Sequence, residues 1–148
     1  MERTLLPAHP GCFGCGLDNP KGLRLQFYLE DGQARAEFRP TTDHAGYEGL
    51  VHGGLISLLF DEAMGMVAAR DWGRLCFSAE LKVRFLQPMP LGETFVVVGE
   101  LVADKKRIRL TRGEIRDPGG QVYARATGKY LPLPEHKKEE VESLLRLR

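Results

Sequence analysis

Two periodicities divide the chain. Between Gly22 and Phe38, apolar and polar positions alternate in "LRLQFYLE" and again in "QARAEFRP", with Asp31–Gly32 between them as a turn signal, so this stretch reads as a hairpin. A loop rich in Thr, Asp, His and Gly follows from Pro40 to Leu50. From His52 to Arg70 the apolar positions recur every three to four residues, which predicts one long helix closed by "DWGR", Asp71 to Arg74. Four strand-like stretches come next without another helix. They are Leu75 to Leu86, stopped by the prolines of "QPMPLG"; Glu93 to Ala103; Ile108 to Asp117, after the basic turn "DKKR"; and Gln121 to Leu133, after "PGG". The tail carries an apolar seam at Val141, Leu144, Leu145 and Leu147, which predicts a C-terminal helix over 135–148.

Two strands, a long helix and four strands joined by short turns contain no βαβ alternation. The expected class is therefore α+β, an antiparallel sheet of about six strands with the helix on one face. A helix that is apolar nearly all round must be covered on most sides, and a strongly curved sheet wrapped round it meets that need. On a helical wheel, Leu55, Ile56, Leu59, Phe60, Ala63, Met66 and Val67 form the core face. Gly54, Ser57, Asp61, Gly65 and Ala68 form an opposite stripe of small residues around one acid, flanked by Leu58 and Met64. Glu62 lies at the edge of the apolar side and reads as one half of a structural ion pair, with Arg84 of the following strand a suitable partner.

The chain has 148 residues, enough for one core, so a single domain is expected over 1–148, with 1–21 an N-terminal loop segment. Its 21 basic and 20 acidic residues leave a net charge of +1, which gives no ground for nucleic-acid binding through bulk charge. No stretch is long and apolar enough for a signal peptide or a membrane span, so a soluble cytoplasmic protein is expected. Cys12 and Cys15 form a CxxC, but a zinc site takes about four ligands and there is no second CxxC. His9 and His44 complete such a site only if the fold delivers them. A redox pair needs a strand end and a helix start, whereas these cysteines lie among Gly, Pro, Asp and Asn. They read as part of a structural loop, and no metal is expected.

The helix carries two pieces of chemistry. Asp61, half sheltered among small residues, suits a catalytic base or nucleophile at the floor of a groove; pairing with an arginine or capping a neighbouring backbone are the plainer alternatives. At the other end, Gly53 and Gly54 bring free N–H groups and the positive end of the helix dipole to one point. A carbonyl oxygen placed there gains stabilisation as charge develops, as in an oxyanion hole. His52 stands beside it, within reach of a water or that carbonyl, or satisfied by backbone. Two helical turns, roughly 10 Å, separate the amides from Asp61. The parts converge only if a second subunit supplies the acid, which predicts a symmetric dimer with two shared sites.

"HAGYEGLVHGGLISLLFDEAMG", His44 to Gly65, resembles the helix motif of the hotdog-fold acyl-CoA thioesterases, PaaI-like branch, in which HGG precedes an Asp nine positions after the His; His52 and Asp61 keep that spacing. "SAELKVRFLQPMPLGE", Ser78 to Glu93, resembles the strand after that helix, and "CFGCGLDNPKGLRLQF", Cys12 to Phe27, an N-terminal segment of one subset. The resemblance implies a curved sheet round a central helix, a homodimer and often a homotetramer. It implies hydrolysis of an acyl-CoA, with CoA part of the substrate and no separate cofactor. Asp61 then activates water or attacks the thioester, while a Gly53 or Gly54 amide of the other subunit polarises the carbonyl. His52 assists, Ser78 is the matching hydroxyl after the helix, and Lys105, Lys106 and Arg107 match the turn that meets the CoA phosphates; a solvated turn explains those three equally well. His44 and Tyr47 stand where some members place an Asn. A non-catalytic acyl-CoA or acyl-carrier binding protein is the alternative reading.

Overall fold

The computed structural model describes residues 2–70, 72 and 75–134. Among these residues, seven strands and one α-helix follow in the order β1 (Thr4–Leu5), β2 (Tyr28–Glu30), β3 (Gln33–Phe38), α1 (Gly53–Ala69), β4 (Cys76–Phe85), β5 (Phe95–Asp104), β6 (Arg109–Arg116) and β7 (Val122–Pro132), with a short 3-10 turn at Thr42–His44 before α1. All pair antiparallel in one sheet, in the order β1-β2-β3-β5-β6-β7-β4, and α1 packs against it. The four strands after the helix fall where alternation placed them. The expected helix over 135–148 lies outside the described residues.

The first hairpin is shorter than its alternation predicts. Asp31 (φ 53°) and Gly32 (φ 74°) make the expected two-residue turn between Glu30 and Gln33. Upstream, however, Arg24 adopts φ 52° and interrupts extended backbone. Leu25 and Phe27 still point into the core, but residues 23–27 bond to the N-terminal segment: Leu23 N to Phe13 O at 2.9 Å, Leu25 N to Gly14 O at 3.0 Å, and Leu6 N to Phe27 O at 2.9 Å. The N-terminal loop thus completes this edge of the fold.

Around α1 the sheet covers more than the wheel suggests. Ile56, Leu59, Phe60, Ala63 and Val67 are buried as expected, but so are Met64 and Ala68, both without exposed surface. Close approach makes this possible. A Cβ on Gly99 of β5 would lie 2.5 Å from the Ala63 carbonyl oxygen, so only glycine lets the helix sit this near the sheet. The small-residue stripe is accordingly closed at Ala68 and open over the first half of the helix. Phe60 and Met64 are both part of the core.

The C-terminal end of α1 is closed by a residue from the sheet. Arg109 Nη1 donates to Ala68 O (2.7 Å) and Arg70 O (2.5 Å), and Nη2 pairs with Asp104 Oδ2 at 3.1 Å. Its guanidinium also lies over the Trp72 ring, 4.5 Å from the centroid. A cation at the negative end of the helix satisfies carbonyls that the helix cannot.

Candidate active site

The start of α1 is held from two sides. His52 N donates to His44 O and Val51 N to Met89 O, both at 2.9 Å. His52 itself is the N-cap, and its Nδ1 accepts the Gly54 N–H at 2.9 Å. Because Nδ1 accepts, the neutral ring carries its proton on Nε2, which is left as a donor. Leu55 and Ile56 donate to the His52 carbonyl. Of these first-turn amides, the Gly53 N–H alone has no acceptor among the described residues, because the cap occupies that of Gly54.

Gly53 opens into a groove of about 620 Å³ lined by Tyr47, His52, Ile56, Phe85 and Met89. The Phe85 ring lies over it, 3.6 Å from where a Gly53 Cβ would be. Tyr47 stands exposed at the rim, whereas His44 is spent on the backbone: its Nδ1 accepts from Thr41 N at 2.9 Å and caps the turn Thr42–His44. A groove of similar size lies on the far face of the sheet, among Lys82, Arg84, Arg112, Arg116 and Arg125, away from this chemistry.

Asp61 lies a little over two turns along α1, about 12 Å from Gly53. Its Oδ1 accepts from the Tyr130 hydroxyl at 2.8 Å, and that hydroxyl is 3.2 Å from the Asp61 carbonyl oxygen. Tyr130 is buried on β7; burial, then the Asp61 charge, push its pKa well above the usual tyrosine value, so it keeps the proton it donates to Asp61. Its role is legible in β7 itself: alternation sets Tyr130 on the buried face with Ala124, Ala126 and Gly128, and a buried hydroxyl needs an acceptor. Ser78 is the cross-strand neighbour of Tyr130 and shares its face of the sheet, just before a bulge between Ser78 and Glu80. The bulge then turns Leu81, Val83 and Phe85 toward the helix side and Lys82 and Arg84 away from it.

Within one chain these parts do not converge. Asp61, Tyr130 and Ser78 gather near the middle of α1, and Gly53 and His52 at its start. Lys105, Lys106 and Arg107 form an exposed turn between β5 and β6, beside the Asp104–Arg109 pair at the far end of the helix.

Glu62 does not pair with Arg84, which β4 turns to the opposite face. Its Oε1 instead accepts from Cys12 Sγ at 3.3 Å. Burial, then the Cys12 charge, raise the Glu62 pKa to about 8. Sharing of a proton with Cys15 lowers that of Cys12 to about 5 and pushes that of Cys15 up. Cys76, next to Asp61 on the other side, is raised to about 12, chiefly by burial.

One helix inside a curved antiparallel sheet, entered by an HGG turn, defines a hotdog-fold protein. Residues 48–124 match the thioesterase superfamily. The chain belongs to that superfamily, and its enzyme class is thioester hydrolase. A solved thioesterase superfamily protein is 30% identical with a TM-score of 0.75, over 81% of this chain and 62% of that one. Human acyl-coenzyme A thioesterase 13 is 24% identical over 72% of each chain. The PaaI protein of E. coli, from its phenylacetic acid degradation operon, shares the fold at 19% identity and a TM-score of 0.69, over 76% of this chain and 81% of that one. Among the described residues no helix is long and apolar enough to cross a membrane.

Proposed function

We propose that the protein hydrolyses an acyl-CoA to the free acid and CoA in a site shared by two protomers. The observation that carries this reading is the Gly53 N–H, left without an acceptor at the start of a helix and facing a groove. The thioester carbonyl binds there, and as the tetrahedral intermediate forms, its oxygen takes the Gly53 hydrogen bond and the helix dipole. The Nε2–H of His52 is a second donor at the same oxygen or at the attacking water. Asp61 of the other protomer, held by Tyr130, either removes a proton from that water or attacks the carbonyl carbon itself. The CoA thiolate leaves. Ser78 supports Asp61 from the neighbouring strand, and Lys105, Lys106 and Arg107 meet the CoA phosphates. The acyl-CoA named for the human relative supports this substrate class.

The need for a partner is supported by β4. Among the described residues it is an edge strand with β7 its one neighbour, so a row of its backbone N–H and C=O groups has no sheet partner there. Leu81 and Phe85 project on the helix side yet stay 36% and 53% exposed, even though the Phe85 ring packs over Gly53 at the start of the helix. Two copies paired along β4 cover both and bring each Asp61 toward the other's HGG turn, as a two-fold dimer requires.

The test is release of free CoA across short, medium, long and aromatic acyl-CoAs by wild type and Asp61→Asn. Turnover that falls by about 10³-fold or more in the variant, with fold and assembly retained, is the expected result. Undiminished turnover removes Asp61 from the mechanism, and binding without CoA release by wild type favours a non-catalytic acyl-CoA carrier.

A further inference from the structure

The proposed thioesterase mechanism leaves Cys12, Cys15 and Glu62 unused. Their Sγ and carboxylate oxygen atoms all lie within 4.8 Å of one another, although 50 positions separate Cys12 from Glu62. We propose that these three side chains form a binding site for a zinc-type divalent cation, which clamps the N-terminal loop onto the middle of α1.

The Cys12–Glu62 spacing is close to what that ion needs. Tetrahedral zinc, with Zn–S about 2.3 Å and Zn–O about 2.0–2.2 Å, sets S···S edges near about 3.8 Å and S···O edges near about 3.5 Å. The Cys12 Sγ to Glu62 Oε1 distance is 3.3 Å. Two thiolates and one carboxylate also match zinc's preference for sulfur ligands with an occasional oxygen, and water takes the fourth position.

The loop is built to present these atoms. Cys15 N donates to Cys12 Sγ at 3.4 Å, an amide contact that favours the thiolate a metal needs. Cys12 N donates to His9 O at 3.1 Å and Gly16 N to Cys12 O at 2.9 Å, closing the loop tightly around both cysteines. Gly14 is required for the carboxylate to enter: a Cβ there would lie 2.2 Å from Glu62 Cδ. Gly16 packs equally closely, with a Cβ only 2.3 Å from Pro10 O.

A metal accounts for all three side chains, a disulfide for only two. Among the described residues no ion pair includes Glu62. A Cys12–Cys15 disulfide would remove the thiol hydrogen bond that Glu62 Oε1 accepts from Cys12. A divalent cation uses all three side chains as ligands, displacing the protons that the thiols and the carboxyl hold to solvent as it binds. The CxxC alone lacked ligands; the fold supplies the third from α1, from the residue next to Asp61.

The test reads metal directly and so stands apart from thioester hydrolysis. Protein purified without chelator is assayed for zinc by mass spectrometry, and the reduced, metal-free wild type is titrated with Co²⁺. About one metal per chain and a sulfur-to-cobalt charge-transfer band are expected. The band should be lost in Cys12→Ser and Cys15→Ser. It should persist in Glu62→Gln, with affinity weaker by more than the roughly 10–100-fold that loss of an outer-shell partner costs. Failure of the folded, reduced wild type to take up either metal overturns the proposal, whatever the variants do. Undiminished binding by folded Cys15→Ser or Glu62→Gln overturns it as well.

Discussion

The Tyr130 hydroxyl donates a 2.8 Å hydrogen bond to Asp61 Oδ1, joining β7 to the middle of α1 across 69 positions of sequence. Tyr130 is thereby a positioning residue for the acid. Its replacement in Tyr130→Phe keeps the ring and its packing but frees the carboxylate to rotate. Steady-state kinetics on the variant should show kcat lower by about 10–100-fold with KM nearly unchanged, since small misplacement of a catalytic group costs rate rather than binding. A rise in KM at constant kcat would instead place Tyr130 in substrate binding.

The shared site can be tested by complementation. Gly53 is the first helical position, where proline fits, and His52 before it already has the extended backbone that a following proline demands (φ −63°, ψ 133°). Gly53→Pro therefore removes one N–H with little disturbance, and turnover should drop about 10²–10³-fold. Mixing it with Asp61→Asn through dissociation and reassembly should restore about a quarter of wild-type activity, because half the dimers then hold one intact site. A site confined to one chain predicts no recovery.

Arg109 ties three carbonyl and carboxylate groups to the end of α1. Arg109→Met leaves the Ala68 and Arg70 carbonyls without this donor and should destabilise the fold by about 2 kcal/mol, lowering the melting temperature by about 4–8 °C. Arg109→Lys should recover only part of this, since an ammonium cannot span the fork. Calorimetry that finds all three proteins equal would show the cap to be energetically idle.

Alkaline pH should expose the burial of Cys76 and Tyr130. Both keep their protons in the folded state above the ordinary values of about 8.5 and 10 at which the unfolded chain releases them. The folded state then binds more protons, so stability falls as pH rises, by at most about 1.4 kcal/mol per unit for each group. The Cys76 contribution starts near its unfolded value and ends as pH passes its folded value of about 12. Denaturant unfolding from pH 8 to 11 should therefore show Cys76→Ala gaining on wild type throughout, and Tyr130→Phe only above pH 10. Parallel curves for Cys76→Ala would contradict its burial.

What could be read from the chain followed the range of the interactions. The four strands after α1 were legible because alternation is a local signal, and Asp31–Gly32 announced its own turn. The stripe holding Asp61 was legible for the same reason, yet the wheel could not say how far the sheet would wrap. That is why Met64 and Ala68, assigned to its border and to the stripe, are buried. Arg24 delayed the start of the first hairpin strand to Tyr28 through a backbone angle that no hydrophobic pattern encodes. The contacts that hold the two helix acids, Tyr130 to Asp61 and Cys12 to Glu62, join residues far apart in sequence. Glu62 was assigned to an arginine because charge suggests charge, but the bulge in β4 sets Arg84 on the opposite face.

Pairing of two copies along β4 would make protein concentration a variable of this molecule's stability. In the proposed dimer, the backbone groups of that strand and the faces of Leu81 and Phe85 are satisfied only by mass action. Dilution should then lower both the melting temperature and the specific activity, together and in the same concentration range. A protomer released from its partner would also present a ten-residue strand open to any other extended chain.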